Sequence, residues 1–219
     1  MTQYLVVIEG LDGSGKQTQA ELLREKLSQS DTVRKISFPN YESPAGELIR
    51  MYLNGKFGEN ASGVDSYAAS ALYAIDRYVS FKKTWQKDYQ QGLIIADRYT
   101  TSNMIHQGAK LLNGNEGDSF LKWLDELEYT HFRLPKPNRV IFLDVPLEIS
   151  ADLRRQRMAK FQGKDIHEND DSYLKACYET AKVLAKMFGW NVINCVNNGV
   201  LRSPGEISED IYRIIKEDL

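Results

Sequence analysis

The sequence of 219 residues contains few cysteines, and this excludes several classes of protein. Cys177 and Cys195 are too few for the disulfide framework of a small secreted protein or for a zinc site built from four cysteines. Both lie among apolar residues, which indicates buried thiols in a reducing compartment.

An excess of charge of one sign is also missing. The chain has 28 lysines and arginines against 30 aspartates and glutamates, a formal net charge of -2. A protein that binds nucleic acid over a broad surface carries a basic surplus. We therefore expect no nucleic-acid partner, although the balance leaves room for a local basic pocket.

Long hydrophobic runs are absent as well. No run reaches the roughly 18 apolar residues that a membrane span requires, and the first residues have neither the basic nor the long apolar segment of a secretory signal. We expect a soluble cytoplasmic protein with no membrane partner. Because the chain shows no internal repeat and no linker rich in proline or serine, we predict one domain over residues 1–219.

Short apolar runs alternate with helical patterns along the chain. Runs such as Tyr4–Ile8 are rich in β-branched residues and suit strands buried on both faces. Strands separated by helices predict an α/β fold with a parallel sheet. We predict strands at 4–8, 32–38, 93–96, 140–143 and 191–196, and helices at 18–29, 45–54, 65–91, 101–112, 118–129, from 147, 171–188 and 204–217.

A phosphate-binding loop is predicted directly after the first strand. The segment Gly10–Lys16 reads Gly-Leu-Asp-Gly-Ser-Gly-Lys, fits the pattern G-x-x-x-x-G-K, and opens a predicted helix. Its glycines let successive backbone N–H groups curl around phosphate oxygens, and the helix N-terminus adds partial positive charge. Lys16 supplies a point charge for the outer phosphates.

One position of this loop departs from the usual pattern. Gln17 stands where a serine or threonine hydroxyl usually ligates Mg²⁺, and Thr18 comes one residue too late. An amide oxygen can still ligate a hard cation. Equally, the metal can keep an extra water, so nucleotide binding is not excluded.

Charged residues at a second strand end predict the other half of a site. Asp97 and Arg98 follow the strand at 93–96, and ligands of an open parallel sheet bind beyond the carboxyl ends of the strands. The carboxylate can hold Mg²⁺ through water, and the guanidinium can bridge two phosphoryl groups. A strand-end salt bridge is the alternative. Asp12, inside the loop, is either a turn residue or a contact for a hydroxyl of a second substrate.

The long predicted helix places Tyr73 and Arg77 on one face, four residues apart. An aromatic ring beside a forked donor suits a flat heteroaromatic base. Packing at the surface is the alternative, because the same pair is common on ordinary helices.

The order of these motifs resembles the thymidylate kinases over essentially the whole chain. The resemblance implies the P-loop nucleoside monophosphate kinase fold, a five-stranded parallel sheet with helices on both faces, and a short lid. The segments that carry it are Gly10–Gln19, Phe38–Tyr41, Leu72–Arg77, Asp97–Tyr99 with Ser102 and Asn103, and Leu134–Pro137.

The resemblance also implies roles for individual residues. Asp12 corresponds to an acid that contacts the acceptor's 3′-hydroxyl, Tyr73 to an aromatic that stacks on thymine, and Arg98 to an arginine that clamps the acceptor phosphate. The implied ATP-binding residues are Gly10, Asp12, Gly13, Ser14, Gly15, Lys16, Gln17 and Thr18. The implied acceptor-binding residues are Asp12, Phe38, Tyr41, Tyr73, Arg77, Arg98, Ser102, Asn103, His106, Gln107 and His167.

The stretch at about 154–169 resembles the family's lid. The phosphate loop has no arginine, so the resemblance implies that lid arginines stabilise the transferred group; a solvated helix face is the alternative. The implied catalytic residues are Lys16, Asp97, Arg98, Arg154, Arg155 and Arg157. The candidate metal ligands are Gln17, Asp97, Asp165 and Glu168.

Two histidines replace tyrosines that are common in the family. His106 and His167 stand where a tyrosine helps exclude a ribose 2′-hydroxyl. Imidazole is shorter and can itself hydrogen-bond, so we expect relaxed selection against ribonucleotides. Read alone, either histidine is also compatible with a structural role.

The combined reading is an enzyme that phosphorylates dTMP to dTDP with ATP and Mg²⁺, in the supply of deoxynucleotides. The alternatives are a kinase for another nucleoside or nucleoside monophosphate, and a nucleotide-binding protein without catalysis. The small size and the lack of a basic stripe argue against a DNA-tethered ATPase. The resemblance further implies a homodimer that packs through helices near residues 45–90.

Overall fold

A parallel sheet built from the apolar runs organises the fold. The computed structural model describes residues 3–28, 32–58, 60, 62–111, 114, 116–158 and 170–219. Its main strands are β1 (Tyr4–Glu9), β2 (Val33–Ser37), β3 (Leu93–Asp97), β4 (Arg139–Asp144) and β5 (Asn191–Asn194). They form one sheet in the order β2-β3-β1-β4-β5, and its pairings are parallel. This confirms the predicted fold class.

Helices follow the strands along the chain. Four of them have a side-chain cap at the N-terminus, at Ser43, Asp65, Asp170 and Ser203. The Ser43 hydroxyl accepts from the Gly46 amide, and Ser203 forms a capping box with Glu206. The helices are α1 (Lys16–Leu27), α2 (Pro44–Leu53), α3 (Ser66–Ser80), α4 (Gln86–Gln91), α5 (Thr100–His106), α6 (Gly117–Asp125), α7 (Leu147–Met158), α8 (Asp171–Met187) and α9 (Pro204–Lys216).

The sheet is covered on both faces, as its continuous apolar strands predict. Successive side chains of a strand point to opposite faces. Val6 and Ile8 therefore pack in a core with residues of α1 and α9, whereas Leu5 and Val7 pack on the other face with Trp85. Every residue of β1 and β3 is buried.

The helix predicted at 65–91 is interrupted. A π turn at Phe81–Trp85 separates α3 from α4, and the rings of Phe81 and Trp85 both enter the core, with centroids 4.6 Å apart. A wider turn of this kind absorbs an extra residue without ending the helix. A second π segment, Glu126–His131, continues α6.

A small hairpin replaces the end of the predicted fifth strand. β5 ends at Asn194, and β6 (Val196–Asn197) pairs antiparallel with β7 (Val200–Leu201). The turn between them has φ of 49° at Asn198 and 77° at Gly199. Asn-Gly is a strong hairpin signal, so the local sequence favours this turn over a longer strand.

The helices in the described ranges are each too short or too polar to cross a bilayer. The predicted lid at about 154–169 overlaps this part of the chain only through the end of α7. Asp165, His167 and Glu168 lie outside the described residues.

Candidate active site

The carboxyl ends of β1 and β3 lie side by side and bring the predicted site residues to one edge of the sheet. Ile8 aligns with Asp97 in the parallel register, and the amide of Arg98 donates to the carbonyl of Ile8 at 3.2 Å. β1 continues into the loop Gly10–Lys16, and β3 continues into Arg98. The structure thus places Asp97 and Arg98 beside the loop, as the strand pattern predicts.

The loop has a backbone shape that requires glycine. Gly13 and Gly15 have φ of 85° and 83°, in the left-handed region. A Cβ at Gly13 would lie 2.5 Å from the carbonyl oxygen of Ser150, so the loop also packs closely against α7. Gly15 immediately precedes α1, whose first residue is Lys16. The backbone N–H groups of the loop therefore lie next to the N-terminus of α1, and both favour an anion at this place.

Lys16 is buried, and its ammonium group donates to the carbonyl oxygen of Leu11 at 2.8 Å. Burial and, to a lesser extent, the nearby Arg98 cation together lower the pKa of Lys16 to about 8. The carboxylates of Asp12 and Asp97 act in the opposite direction. The cation at the start of α1 and the cation after β3 therefore repel each other, and an anion bound between them would relieve that repulsion.

Arg98 has a left-handed backbone and a side chain held at both ends of its fork. Its φ is 68°. Nη2 donates to the Asp12 carboxylate at 2.5 Å, and Nη1 lies 3.4 Å from the Ser102 hydroxyl and 3.3 Å from Nε2 of His106. Burial by itself would lower the pKa of Arg98, but the surrounding carboxylates, Asp12 first, raise it overall. Arg98 is therefore a fixed cation.

Glu9 is a fully buried carboxylate that the sequence analysis did not identify. One oxygen accepts from the hydroxyls of Thr101 at 2.8 Å and Ser102 at 2.7 Å, and the other accepts from the amide of Gly10 at 3.0 Å. Its Oε1 also lies 3.8 Å from Nη1 of Arg98. Glu9 thereby ties the loop to α5. The available signal was an acid at the end of an otherwise apolar strand.

Arg154 of α7 lies against the phosphate loop. Its Cγ would be 3.1 Å from a Cβ built on Gly13. The residue is buried, and in the described part of the chain its Nε has no hydrogen-bond partner; the same holds for the hydroxyl of Ser14 in the loop. Buried polar atoms are normally paired. These two donors therefore fit an anionic ligand, such as a phosphate, on the loop.

Arg155, the next arginine of α7, does not join Arg154 at the loop. Arg155 faces solvent, and its guanidinium pairs with Asp152 of the same helix at 2.5 Å. This corrects the expectation that Arg155 joins Arg154, because neighbouring residues on a helix point about 100° apart. Arg157 lies in α7, and its side chain is outside the described part of the structure.

The segment that follows β2 is attached to α3 through Asp76. This buried carboxylate accepts from the amide of Asn40 at 2.7 Å and from the hydroxyl of Ser43 at 2.8 Å, and burial raises its pKa. Phe38 is buried, whereas Tyr41 is 40% exposed. Asp76 was also missed by the sequence analysis, although it directly precedes a residue singled out there.

Arg77 differs from its expected role. Its Nε and Nη2 donate to the two oxygens of Glu128 at 2.7 and 2.6 Å, and the Thr100 hydroxyl donates to the same carboxylate at 2.7 Å. Both partners of this ion pair are essentially fully buried. The fork expected to face a flat base is thus occupied by a protein carboxylate. Nη1, which makes a 3.5 Å contact with the Tyr99 carbonyl, is the nitrogen not bound to Glu128.

The contact between α3 and α5 contains the remaining predicted acceptor residues. Tyr73 is half-buried and packs edge-on against Tyr52 at 6.3 Å. Asn103 is buried and donates to the carbonyl of Ser70 at 3.2 Å. Gln107 is fully buried, and neither its amide nitrogen nor its amide oxygen has a partner among the residues described. Buried polar atoms are normally paired, so this amide is an exception among the residues described.

His106 has a protein contact at both ring nitrogens. Nε2 lies 3.3 Å from Nη1 of Arg98, and Nδ1 lies 3.5 Å from the sulfur of Cys177. The expected hydrogen bond from imidazole to a ribose 2′-hydroxyl would have to replace one of these contacts. The geometry therefore supports relaxed selection against ribonucleotides only through the smaller size of the imidazole. It does not support a hydrogen bond from the ring to the 2′-hydroxyl.

Candidate metal ligands are sparse in the described residues. Gln17 is exposed at the start of α1, and Asp97 is buried at the end of β3. No cluster of three or more acidic, histidine or cysteine side chains suited to a metal occurs in the described ranges. Mg²⁺ that arrives with a nucleotide takes one or two protein ligands besides phosphate oxygens. Gln17 and Asp97 fit that limited requirement.

Comparison with known proteins gives one consistent result. A family model described as thymidylate kinase matches residues 8–202. The chain is 31% identical to the thymidylate kinase of Mycobacterium tuberculosis over 170 residues, which cover 76% of this chain and 78% of the relative. It is 30% identical to a probable thymidylate kinase of Pyrococcus abyssi over 227 residues, covering 100% and 98% of the two chains.

A solved structure shows the same similarity. The thymidylate kinase of Candida albicans, for which broad substrate specificity is described, superposes with a TM-score of 0.73 at 26% identity. The match covers 98% of this chain and 92% of that one.

Proposed function

The chain belongs to the thymidylate kinase family, and from this premise we propose how its residues carry out the reaction. It is an enzyme that phosphorylates dTMP, with ATP as donor, to give dTDP and ADP. The observation that supports the assignment of roles best is the meeting of Lys16, at the start of α1, with Arg98, directly after β3, close enough for Arg98 to lower the pKa of Lys16. One cation is suited to the donor phosphates and the other to the acceptor phosphate.

The donor binds on the phosphate loop. Backbone N–H groups between Gly10 and Thr18 surround the phosphates, and Lys16 exchanges its bond to the Leu11 carbonyl for the outer phosphate oxygens. Arg154 is the lid arginine that we assign to the transferred group, because its unpartnered Nε and its packing on Gly13 place a buried donor at the loop.

The acceptor phosphate binds at Arg98. The attacking oxygen of dTMP is already anionic, so the reaction requires no strong general base. The acceleration comes from holding two anions in line and from stabilising the charge that spreads over the transferred group. Arg98 and Lys16 supply that positive charge from fixed positions. Asp12 then accepts from the acceptor's 3′-hydroxyl and orients the sugar.

Recognition of the thymine ring is assigned to Tyr73 and Gln107. Tyr73 supplies a ring for stacking. The Gln107 amide offers an acceptor beside a donor, which complements the N3–H and a carbonyl oxygen of thymine. Both polar atoms of this buried amide lack protein partners in the described ranges. A base that forms hydrogen bonds with both atoms therefore binds more tightly than a base that leaves them unpaired.

Mg²⁺ is assigned to the nucleotide phosphates, with Gln17 and Asp97 as its protein-side ligands. The ion would neutralise charge on the donor phosphates. If the exposed amide of Gln17 is a weaker ligand than a hydroxyl, Gln17→Ser lowers the Mg²⁺ concentration that gives half-maximal rate. An unchanged requirement would remove position 17 from metal binding.

We further propose a homodimer in the cytoplasm. Large apolar side chains remain exposed on α2 and α3, at Leu48, Ile75 and Tyr78, which supports a partner on this face. Cys177 and Cys195 are both buried free thiols, and this supports a reducing compartment. That residues 1–219 form one domain, with residues 159–169 as part of its lid, remains a prediction.

The experiment that tests the assignment measures ADP release with a panel of acceptors. The panel contains dTMP, its ribo analogue, dUMP, dCMP, dGMP and thymidine, each at saturating ATP and Mg²⁺. We expect dTMP to give the highest kcat/KM, and Gln107→Leu to lower kcat/KM for dTMP more than that for dCMP. A higher value for another acceptor would identify a different nucleotide kinase, and ATP binding without turnover would identify a non-catalytic protein.

A further inference from the structure

The imidazole of His106 lies between the phosphate-clamping arginine and a buried thiol. On one side, Nε2 is 3.3 Å from Nη1 of Arg98; on the other, Nδ1 is 3.5 Å from Sγ of Cys177. The hydroxyl of Tyr173 donates to the backbone carbonyl of His106 at 2.8 Å and attaches the end of α5 to α8. His106 is therefore fixed through its backbone as well as its ring.

The chemistry of the two neighbours determines where the ring proton resides. A guanidinium has donors and no acceptor, so Nε2 must accept the hydrogen bond from Arg98. The ring is then neutral and carries its proton on Nδ1, which faces the sulfur of Cys177. Burial raises the pKa of Cys177 to about 12, so the sulfur is present as a thiol, which can accept this proton weakly.

The arrangement constrains both arms of one guanidinium. The Asp12 carboxylate holds Nη2 at 2.5 Å, whereas Nη1 faces His106 and the Ser102 hydroxyl. Asp12 is also assigned to the acceptor's sugar, so its bond to Arg98 has to be shared when the acceptor binds. The acceptor in the contact with His106 is a neutral ring nitrogen, so it does not compete with the substrate's phosphate for the charge of Arg98.

We propose that His106 is a positioning residue that fixes the guanidinium plane of Arg98 through Nε2, with its Nδ1 proton directed at the sulfur of Cys177. The proposal rests on the assignment of Arg98 to the acceptor phosphate. It gives the imidazole a function in phosphoryl transfer, which is to accept a hydrogen bond from Arg98. The tyrosine usual at this position has no ring nitrogen to accept that bond. It also explains why a residue that lines the acceptor side is packed against α8.

Substitution of His106 by glutamine and by asparagine distinguishes a positioning role from a structural one. In His106→Gln, the side-chain oxygen reaches about as far as Nε2 and can still accept from Arg98. In His106→Asn, the shorter side chain reaches only as far as Nδ1. We expect kcat with dTMP to stay within about threefold of the wild type for glutamine and to fall about 10- to 100-fold for asparagine, the range for one hydrogen bond to a charged group. KM for ATP should not change in either variant.

Folding and coupling are measured on the same proteins. Thermal unfolding shows whether each variant is folded, and His106→Ser replaces the asparagine variant if that protein does not fold. In an Arg98→Ala background, the asparagine substitution should cause no further loss of kcat, because the group that it positions is gone.

The outcomes distinguish this proposal from the proposed function. Equal kcat for the wild type and the glutamine and asparagine variants would overturn the role of His106, and so would equal losses in both variants. If Arg98→Ala itself keeps wild-type turnover, the assignment of Arg98 fails, and with it the premise of this inference.

Discussion

Arg98 adopts a backbone conformation that residues with a Cβ rarely take, at the point where its side chain meets Asp12. Its φ of 68° carries a cost of about 1–3 kcal/mol. The carboxylates of Asp12 and Glu9 and the end of α5 surround its guanidinium and hold the residue in place. Backbone strain concentrated at a cation between two strand ends is consistent with a group whose position matters for the reaction.

Removal of this side chain should disable the enzyme without unfolding it. Arg98→Ala is expected to lower kcat/KM for dTMP by at least about 10²-fold, the scale for one lost charge-stabilising donor. Arg133 is a matched control, because it is an exposed arginine that also has positive φ, 54°, and has no assigned role. Arg133→Ala should retain wild-type kinetics. Near wild-type turnover of the Arg98 variant would remove this residue from the mechanism.

The lowered pKa of Lys16 predicts a pH dependence of ATP binding. In the free protein, burial brings this pKa to about 8. Phosphates favour the charged form, so above pH 8 binding requires uptake of a proton, and Kd should rise up to about tenfold per pH unit. Below pH 8 the lysine is already charged and Kd should level off.

Titration calorimetry of ATP between pH 7 and 9.5 measures this dependence. Lys16→Arg is the control, since arginine stays protonated throughout this range. The arginine variant should bind more weakly overall but with little change across the range. The same slope in both proteins would show that Lys16 is not the group that titrates.

At the scale of elements, a buried ion pair joins the middle of the molecule. Arg77 of α3 and Glu128 of the π segment after α6 are essentially fully buried, and Thr100 at the start of α5 donates to the same carboxylate. Three elements are thereby connected through one carboxylate. Removing one member of a buried pair leaves an uncompensated charge, whereas replacing both with apolar residues is far less costly.

This difference gives a prediction for stability. Glu128→Ala should lower the free energy of unfolding by about 3–5 kcal/mol in urea denaturation. The double variant Arg77→Leu/Glu128→Leu should lose clearly less. Glu126→Ala, at an exposed position two residues earlier in the same segment, should stay within about 0.5 kcal/mol of the wild type. A loss below about 1 kcal/mol in Glu128→Ala would show that the pair is not held as tightly as its geometry indicates.

The elements that were predictable from sequence are those with local signals. The buried strands and the phosphate loop follow from an apolar run and a glycine pattern, and both lie within a few residues of where they were expected. The roles of Glu9, Asp76 and Glu128 do not follow from local pattern. Their partners are 92, 36 and 51 residues away in Thr101, Asn40 and Arg77, and only the folded chain brings them together.

Arg77 illustrates the same limit from the other direction. A ring and an arginine at helical spacing describe one helix face, and they contain no information about what packs against that face. The acid that pairs with the arginine is one of three acids in the stretch Asp125–Glu128, and nothing in the local pattern distinguishes the buried Glu128 from its exposed neighbour Glu126. Gln107 lies at the opposite extreme: the resemblance names it as a site residue, but only the folded chain shows that its buried amide has no partner among the described residues.

At the scale of the whole molecule, the acceptor side of the site and one apolar surface share the same helix. α3 holds the segment after β2 through Asp76. Ile75 and Tyr78, three residues apart on α3, are 41% and 37% exposed. A partner that covers these side chains would therefore stabilise the helix that we assign to the acceptor side of the site. A second apolar surface, with Val183 and Met187 of α8 exposed, lies on a different helix and offers an alternative interface.

Substitution of one residue on each surface decides which of them pairs. We expect the wild type to have twice the mass of the chain in light scattering at micromolar concentration, and Ile75→Glu to have the mass of one chain, because a buried carboxylate at the interface has no partner. Val183→Glu, at a position 52% exposed, should remain dimeric. The monomeric Ile75 variant should also show a raised KM for dTMP with an unchanged KM for ATP, since only the acceptor side depends on α3. A monomeric wild type, or a monomeric Val183→Glu with a dimeric Ile75→Glu, would contradict the assigned interface.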